Sequence, residues 1–140
     1  MNSRLERICS HSVFFSAFMT RVRSMDIRQL ALNYYATVDK GDPEATSDLF
    51  AQDATYDRPG YDTFTGEEIR EFYRNSRVIE SGAHTVNMVV VEGSTAAVHG
   101  TFDGVLKDGT DAHEGFADFI QFDDDGLIEA RRSFFYRAAV

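Results

Sequence analysis

The sequence predicts an α+β domain whose helices gather near its start and pack on one face of a curved antiparallel sheet. Two observations carry this prediction. Apolar residues recur at helical spacing from Ile27 to Val38, and alternating segments at hairpin spacing fill most of the chain from His84 to Arg137. A length of 140 residues adds that there is one core, because two would each bury too little surface.

The first helix rests on Ile27, Leu30, Ala31, Tyr34, Tyr35 and Val38, and Gly41 supplies its stop. Asp42-Pro43 restarts the chain as N-cap and first helical residue of a short helix reaching Phe50. Ala54 to Arg58 reads as a short strand ended by Pro59-Gly60. Thr65-Gly66-Glu67-Glu68 is a capping box, in which the Thr65 hydroxyl takes a helix N–H and Glu68 reaches back. The third helix it opens runs to Glu80, where Ser81-Gly82 breaks it. Strands follow at His84–Val91, Thr95–Leu106, Asp111–Phe122 and Leu127–Arg137. Their turns are Glu92-Gly93-Ser94, Lys107-Asp108-Gly109-Thr110 and Asp123-Asp124-Asp125-Gly126.

A net charge of −9 repels both nucleic-acid phosphates and an anionic membrane, so neither is an expected partner. No apolar run approaches the roughly 20 residues of a spanning helix. Cys9 is the only cysteine, which excludes an intrachain disulfide and makes the reducing cytoplasm the expected location. Residues 1–24 stand apart from the acidic remainder. They carry Arg4, Arg7, Arg21 and Arg23 against Glu6 alone, around the apolar stretch Val13-Phe14-Phe15-Ser16-Ala17-Phe18-Met19. They are read as an N-terminal extension, disordered or a docking helix, ahead of a domain at 25–140. His84, His99 and His113 lack metal-ligand spacing, and the Asp123-Asp124-Asp125 run lacks the distal Glu of a calcium loop. No glycine-rich phosphate loop is present, so neither a metal nor a nucleotide cofactor is expected.

A curved sheet covered by helices encloses a cone with an apolar lining and one open end. Strand alternation sorts the polar candidates. On the third of the long strands Asp118 shares a face with Phe116, Ile120 and Phe122, and a carboxylate in an apolar stripe is the least ordinary feature of the chain. Desolvation there would keep it protonated as a hydrogen-bond donor. The plainer alternative is a carboxylate at the sheet rim, or one paired with Arg131 or Arg132.

Tyr34-Tyr-Ala-Thr-Val-Asp-Lys-Gly-Asp42, Leu49-Phe-Ala-Gln-Asp-Ala-Thr-Tyr-Asp57, Gly66-Glu-Glu-Ile-Arg-Glu-Phe-Tyr73 and Phe122-Asp-Asp-Asp-Gly-Leu-Ile128 stand in the same order as these elements. In both respects the chain resembles the NTF2-like superfamily, of SnoaL-like and ketosteroid-isomerase-like proteins, from Ile27 to Tyr136. The resemblance implies a cone-shaped α+β roll with three N-terminal helices on a β-meander. It also implies roles. The isomerase's oxyanion-hole tyrosine falls on Tyr34, its oxyanion-hole aspartic acid on Asp118 and its supporting tyrosine on Tyr73. The isomerase base precedes a proline, where this chain has Arg58, with Asp57 one residue earlier and so on the opposite face. The epoxide-hydrolase pattern of Arg-x-Asp with a second Asp meets His99-Gly100-Thr101 and Ser133. The polyketide-cyclase carboxylate base finds counterparts in Asp103 or Asp118, and the dehydratase histidines a faint echo in His99 and His113.

The resulting expectation is a cofactor-free enzyme moving a proton on an apolar carbonyl or polyketide-like substrate, by isomerisation, cyclisation or dehydration. Tyr34 and Asp118 would hold the oxyanion, and His99 with Asp103 would supply the base, with Asp57 as third candidate. Tyr73, Asp57, Arg58, Thr101, Phe116, Arg131 and Phe135 would line the substrate site. The alternative is a non-catalytic ligand-binding or dimerising module of the same fold. A homodimer through the outer sheet face is implied by the family, with Phe102, Phe119 and Phe134 needing cover.

Overall fold

The computed structural model describes residues 25–139. The reading of residues 1–24 as an extension or docking helix lies outside them. Helix α1 (Ile27–Asp39) begins where the Asp26 carboxylate accepts a hydrogen bond from the Gln29 amide at 3.1 Å. It stops at Gly41, whose φ of 74° is a conformation that a Cβ disfavours. Helix α2 (Pro43–Ser47) has the expected Asp42 cap, which accepts from the Glu44 and Ala45 amides at 3.0 Å each. It ends short of Phe50 because the chain is already committed to a sheet there: the Ile128 amide donates to the Leu49 carbonyl at 2.8 Å.

Strand β1 (Phe50–Asp57) carries on one side a two-residue strand, β2 (Phe64–Thr65), that the sequence did not announce. Helix α3 (Glu67–Glu71) then opens with half of the anticipated capping box. Glu68 reaches back to the Thr65 amide at 3.3 Å, but the Thr65 hydroxyl donates to the same carboxylate at 2.6 Å instead of capping the helix. The helix does not run to Glu80. Its last turn, Phe72–Ser76, widens to π geometry, closed by the Arg77 amide on the Phe72 carbonyl at 2.8 Å. Arg77 is extended, and strand β3 (Ile79–Glu92) starts almost at once.

Strands β4 (Thr95–Leu106), β5 (Asp111–Phe122) and β6 (Ile128–Phe135) complete a sheet of order β2-β1-β6-β5-β4-β3. The pairing is antiparallel except between β1 and β6, which run parallel. The helices pack on one face of this curved, unclosed sheet, which is the α+β architecture that the sequence predicts. Bulges in β3, between Ile79 and Ser81 and between Val86 and Met88, bend the strand over the core. Gly100 permits the same bend, since a Cβ there would collide with the Thr85 carbonyl oxygen and crowd the Phe116 ring.

Side chains of one parity face the helices: Val98, Gly100 and Phe102 on β4, Phe116, Asp118 and Ile120 on β5, Arg131 and Ser133 on β6. They meet Tyr34, Tyr35 and Val38 of α1 and Phe72 and Tyr73 of the π turn. Phe102 is therefore a core residue, 5% exposed, and not part of an outer patch as anticipated. Phe119 and Phe134 do face outward, edge to face with centroids 5.9 Å apart.

Candidate active site

Between α1, the π turn and the concave face of the sheet lies a cavity of about 80 Å³. The π turn is what aims side chains into it. An extra residue in the last turn rotates the helix so that Phe72 and Tyr73, consecutive in sequence, are both buried, and Arg77 emerges on the cavity wall.

At the base of the cavity sits an ion pair. Asp118, 1% exposed, accepts hydrogen bonds from the Tyr35 hydroxyl at 2.6 Å, the Ser133 hydroxyl at 2.6 Å and the Arg131 guanidinium at 2.9 Å. Burial alone would raise its pKa, but Arg131, Ser133 and Tyr35 together hold it below the ordinary 3.8. Asp118 is therefore an ionised acceptor at neutral pH, not the protonated donor anticipated for it. The plainer reading, a pair with Arg131, is the one the geometry realises. Nor does Tyr34 aim with it at one oxygen. Tyr34 and Tyr73 share a hydrogen bond at 2.6 Å, and it is Tyr35, the next residue, that reaches Asp118.

Arg131 is sandwiched between aromatic rings, its guanidinium carbon 4.4 Å from the Tyr34 centroid and 4.6 Å from that of Tyr56. It donates to the Tyr73 hydroxyl at 3.2 Å, while its Nε is buried without a partner. Tyr56 completes this corner. Burial pushes its phenol up, yet Arg131 and Arg58 outweigh burial and leave it more acidic than the ordinary 10.0. Arg58 donates to the Tyr56 hydroxyl at 3.1 Å and lies over the Phe135 ring at 4.9 Å. Burial instead raises Tyr34, Tyr35 and Tyr73, so these phenols stay protonated throughout the physiological range.

The second titratable feature is a histidine. His84, placed on the cavity wall by β3, packs against Phe102 and Phe116 with centroids 4.8 and 5.3 Å away. Its Nδ1 meets the Asp39 carboxylate at 2.5 Å, and the same carboxylate accepts from the His84 backbone amide at 2.9 Å. Burial lowers the His84 pKa below 6.5 despite the opposing pull of Asp39, so the ring is neutral at pH 7. A neutral ring whose Nδ1 faces a carboxylate carries its proton on Nδ1, which leaves the Nε2 lone pair free. Nε2 has no hydrogen-bond partner among the described residues.

The structure thus brings Tyr34, Tyr73, Asp118, Arg58, Phe116, Arg131 and Phe135 to one cavity. It does not bring the expected base there. His99, Thr101 and Asp103 stand exposed on the outer face of β4, because alternation from buried Val98 and Phe102 sends them outward. Asp103 is bound to the His113 ring at 2.6 Å on that surface. Asp57 also turns outward, where Arg132 holds it at 2.8 Å. Sequence reasoning missed Tyr56, Asp39 and His84. The available signal was the pairing of His84 with Phe102, whose apolar parity marks both as inward, but the bulges of β3 break the alternation that would have shown it. Among the described residues no three His, Cys, Asp or Glu side chains cluster as metal ligands would.

A SnoaL-like domain profile matches residues 31–130. The chain belongs to the SnoaL-like domain family. Solved structures give the same fold. An epoxide hydrolase/cyclase-like enzyme, SalBIII, from pyran ring formation in the polyether salinomycin, superposes with a TM-score of 0.70 at 20% identity, covering 79% of this chain and 90% of its own. A hypothetical protein with ketosteroid isomerase-like fold from Catenulispora acidiphila, in complex with trimethylamine, gives 0.66 at 23% identity over 75% of this chain and 83% of its own. An LEH-like epoxide hydrolase of M. tuberculosis gives 0.68 at 13% identity over 79% and 82%. No curated protein sequence matches. At these identities the solved structures show that the chain shares their fold.

Proposed function

We propose that this SnoaL-like domain is a cofactor-independent enzyme that moves a proton on an apolar carbonyl or polyketide-like substrate bound in the cavity. The observation that carries the reading is the Asp39–His84 pair, which presents a neutral imidazole, with no hydrogen-bond partner for Nε2 among the described residues, on a wall of aromatic rings and arginines. In this reading His84 Nε2 takes the proton from the carbon beside the carbonyl, and Asp39 stabilises the imidazolium that forms. The electron pair moves onto the carbonyl oxygen. Tyr56, made more acidic by two guanidiniums, donates a hydrogen bond to that oxygen, and the fixed charge of Arg131 opposes the charge developing there. Returning the proton to another carbon isomerises the substrate. Expelling a β-hydroxyl as water, with the proton that His84 holds, dehydrates it, and attack of the enolate carbon on a second carbonyl, whose oxygen takes that proton, cyclises it.

A test that needs no natural substrate uses 5-nitrobenzisoxazole. A base removes its C–H proton, the N–O bond breaks, and a coloured phenolate is released. The wild-type protein accelerates this opening, and His84→Gln loses about 10²–10⁴-fold while its circular dichroism is unchanged. Equal rates for the two proteins contradict the assignment of the base.

A second reading, a non-catalytic ligand-binding module, is favoured by one observation: Asp118 is locked in an ion pair rather than held ready to donate. It predicts that ligands occupy the cavity while no acceleration of the probe reaction depends on His84.

A further inference from the structure

The wall of the cavity is cationic in a chain whose net charge is −9. Arg58, Arg77, Arg131 and Arg137 line it, against the carboxylates of Asp118 and Glu114. Two of those arginines are already neutralised, Arg131 by Asp118 at 2.9 Å and Arg137 by Glu114 at 2.8 Å. The other two have no carboxylate within 4.0 Å among the described residues. Arg58 is the more telling. It is half-buried, stacked over the Phe135 ring, and spends one donor on the Tyr56 hydroxyl at 3.1 Å. A guanidinium carries five N–H donors in a planar fork, so most of its capacity is unused. Its sequence neighbour Asp57 could have paired with it, but strand alternation turns that carboxylate to the opposite face and onto Arg132. Arg77 is fixed beside the same space by the π turn, through its own amide on the Phe72 carbonyl.

A partly desolvated, ring-stacked cation without a counter-ion is a group waiting for an anion. We infer that the molecule this cavity binds carries a carboxylate on an apolar body, with the carboxylate seated on Arg58 and Arg77 and the body against Phe72, Phe116 and Phe135. The inference rests on the cavity being the ligand site, as in the function proposed above, and it names the class of ligand. It does not require that His84 abstract a proton. The local positive field also concentrates anions at the mouth of an otherwise acidic protein, so occupancy falls with added salt.

The test is a side-chain-resolved NMR titration with benzoate and with its neutral isostere benzamide. Benzoate binds at least about tenfold more tightly than benzamide and shifts the Nε–H resonances of Arg58 and Arg77, as charge-assisted pairing requires. Arg77→Gln and Arg58→Gln each remove most of that preference. Arg58→Lys keeps the charge and the fold but loses the fork, and falls between wild type and Arg58→Gln. His84→Gln retains the preference, which separates this inference from the proton-transfer reading. Equal binding of benzamide, no binding of benzoate at millimolar concentration, or a preference that survives Arg77→Gln and Arg58→Lys undiminished overturns it. Displacement of benzoate by an equal concentration of inorganic phosphate overturns the carboxylate assignment.

Discussion

Asp118 and Arg131 stabilise the fold only as a pair, because each is desolvated and each satisfies the other. Asp118→Asn leaves the guanidinium charged in a nearly dry site and costs about 3–5 kcal/mol of unfolding free energy, which urea denaturation measures. A loss of probe activity in Asp118→Asn at unchanged stability would instead return that carboxylate to the chemistry. Acid stability follows from the same groups. The native pKa of Asp118 lies below its ordinary 3.8, so its contribution is full above that value and is lost as pH falls through the native one. His84 is depressed below 6.5, so it too stabilises above 6.5 and withdraws that contribution as pH falls through its native pKa. Activity shares this acid limb: the rate of probe opening rises with pH along a limb whose midpoint lies below 6.5, because the base must be neutral. A midpoint above 6.5 is incompatible with a buried His84 whose pKa is depressed. At this scale the sequence was half legible. The apolar stripe around Asp118 showed correctly that it is inside, and Arg131 was among its named partners. Its protonation state was not legible, since that depends on Tyr35 and Ser133 converging from α1 and β6.

The elements with regular alternation were read almost to the residue, and β4 and β5 have the anticipated bounds. The third helix was not, for a physical reason. A capping box and helical spacing describe how a helix starts and which face it buries, but neither signals the i→i−5 closure that ends this one at Ser76. Strand β3 was shortened in the reading for the same reason, and its bulges hid the inward parity of His84. The outward placement of His99, Thr101 and Asp103 was a choice between two faces of β4, and it turns on Phe102 being core. The fold depends on a close approach at this strand. Gly100→Ala puts a methyl against the Thr85 carbonyl oxygen, which is backbone and cannot step aside, and is expected to cost about 1–3 kcal/mol. A thermal melt indistinguishable from wild type would show that the β3–β4 bend tolerates a Cβ.

Across the whole molecule, the proposed chemistry and the proposed assembly lie on opposite faces of one sheet. The concave face holds the cavity, while Met88, Val90, Phe119 and Phe134 are each about half exposed on the convex one. A homodimer through that face remains the proposal. Sedimentation of the wild type at twice the monomer mass, with Phe134→Glu reduced to monomer, supports it, and a wild-type monomer at all concentrations opposes it. The chain's SnoaL-like family and its folded neighbours account for the scaffold, but the proposed chemistry depends on one side chain of β3 and its partner at the end of α1. Nitrogen-resolved NMR of the His84 ring across a pH titration tests that pairing directly. The ring is predicted to carry its proton on Nδ1, to titrate below 6.5, and to lose the Nδ1–H preference in Asp39→Asn. A ring protonated on Nε2, or one that titrates above 6.5, contradicts it.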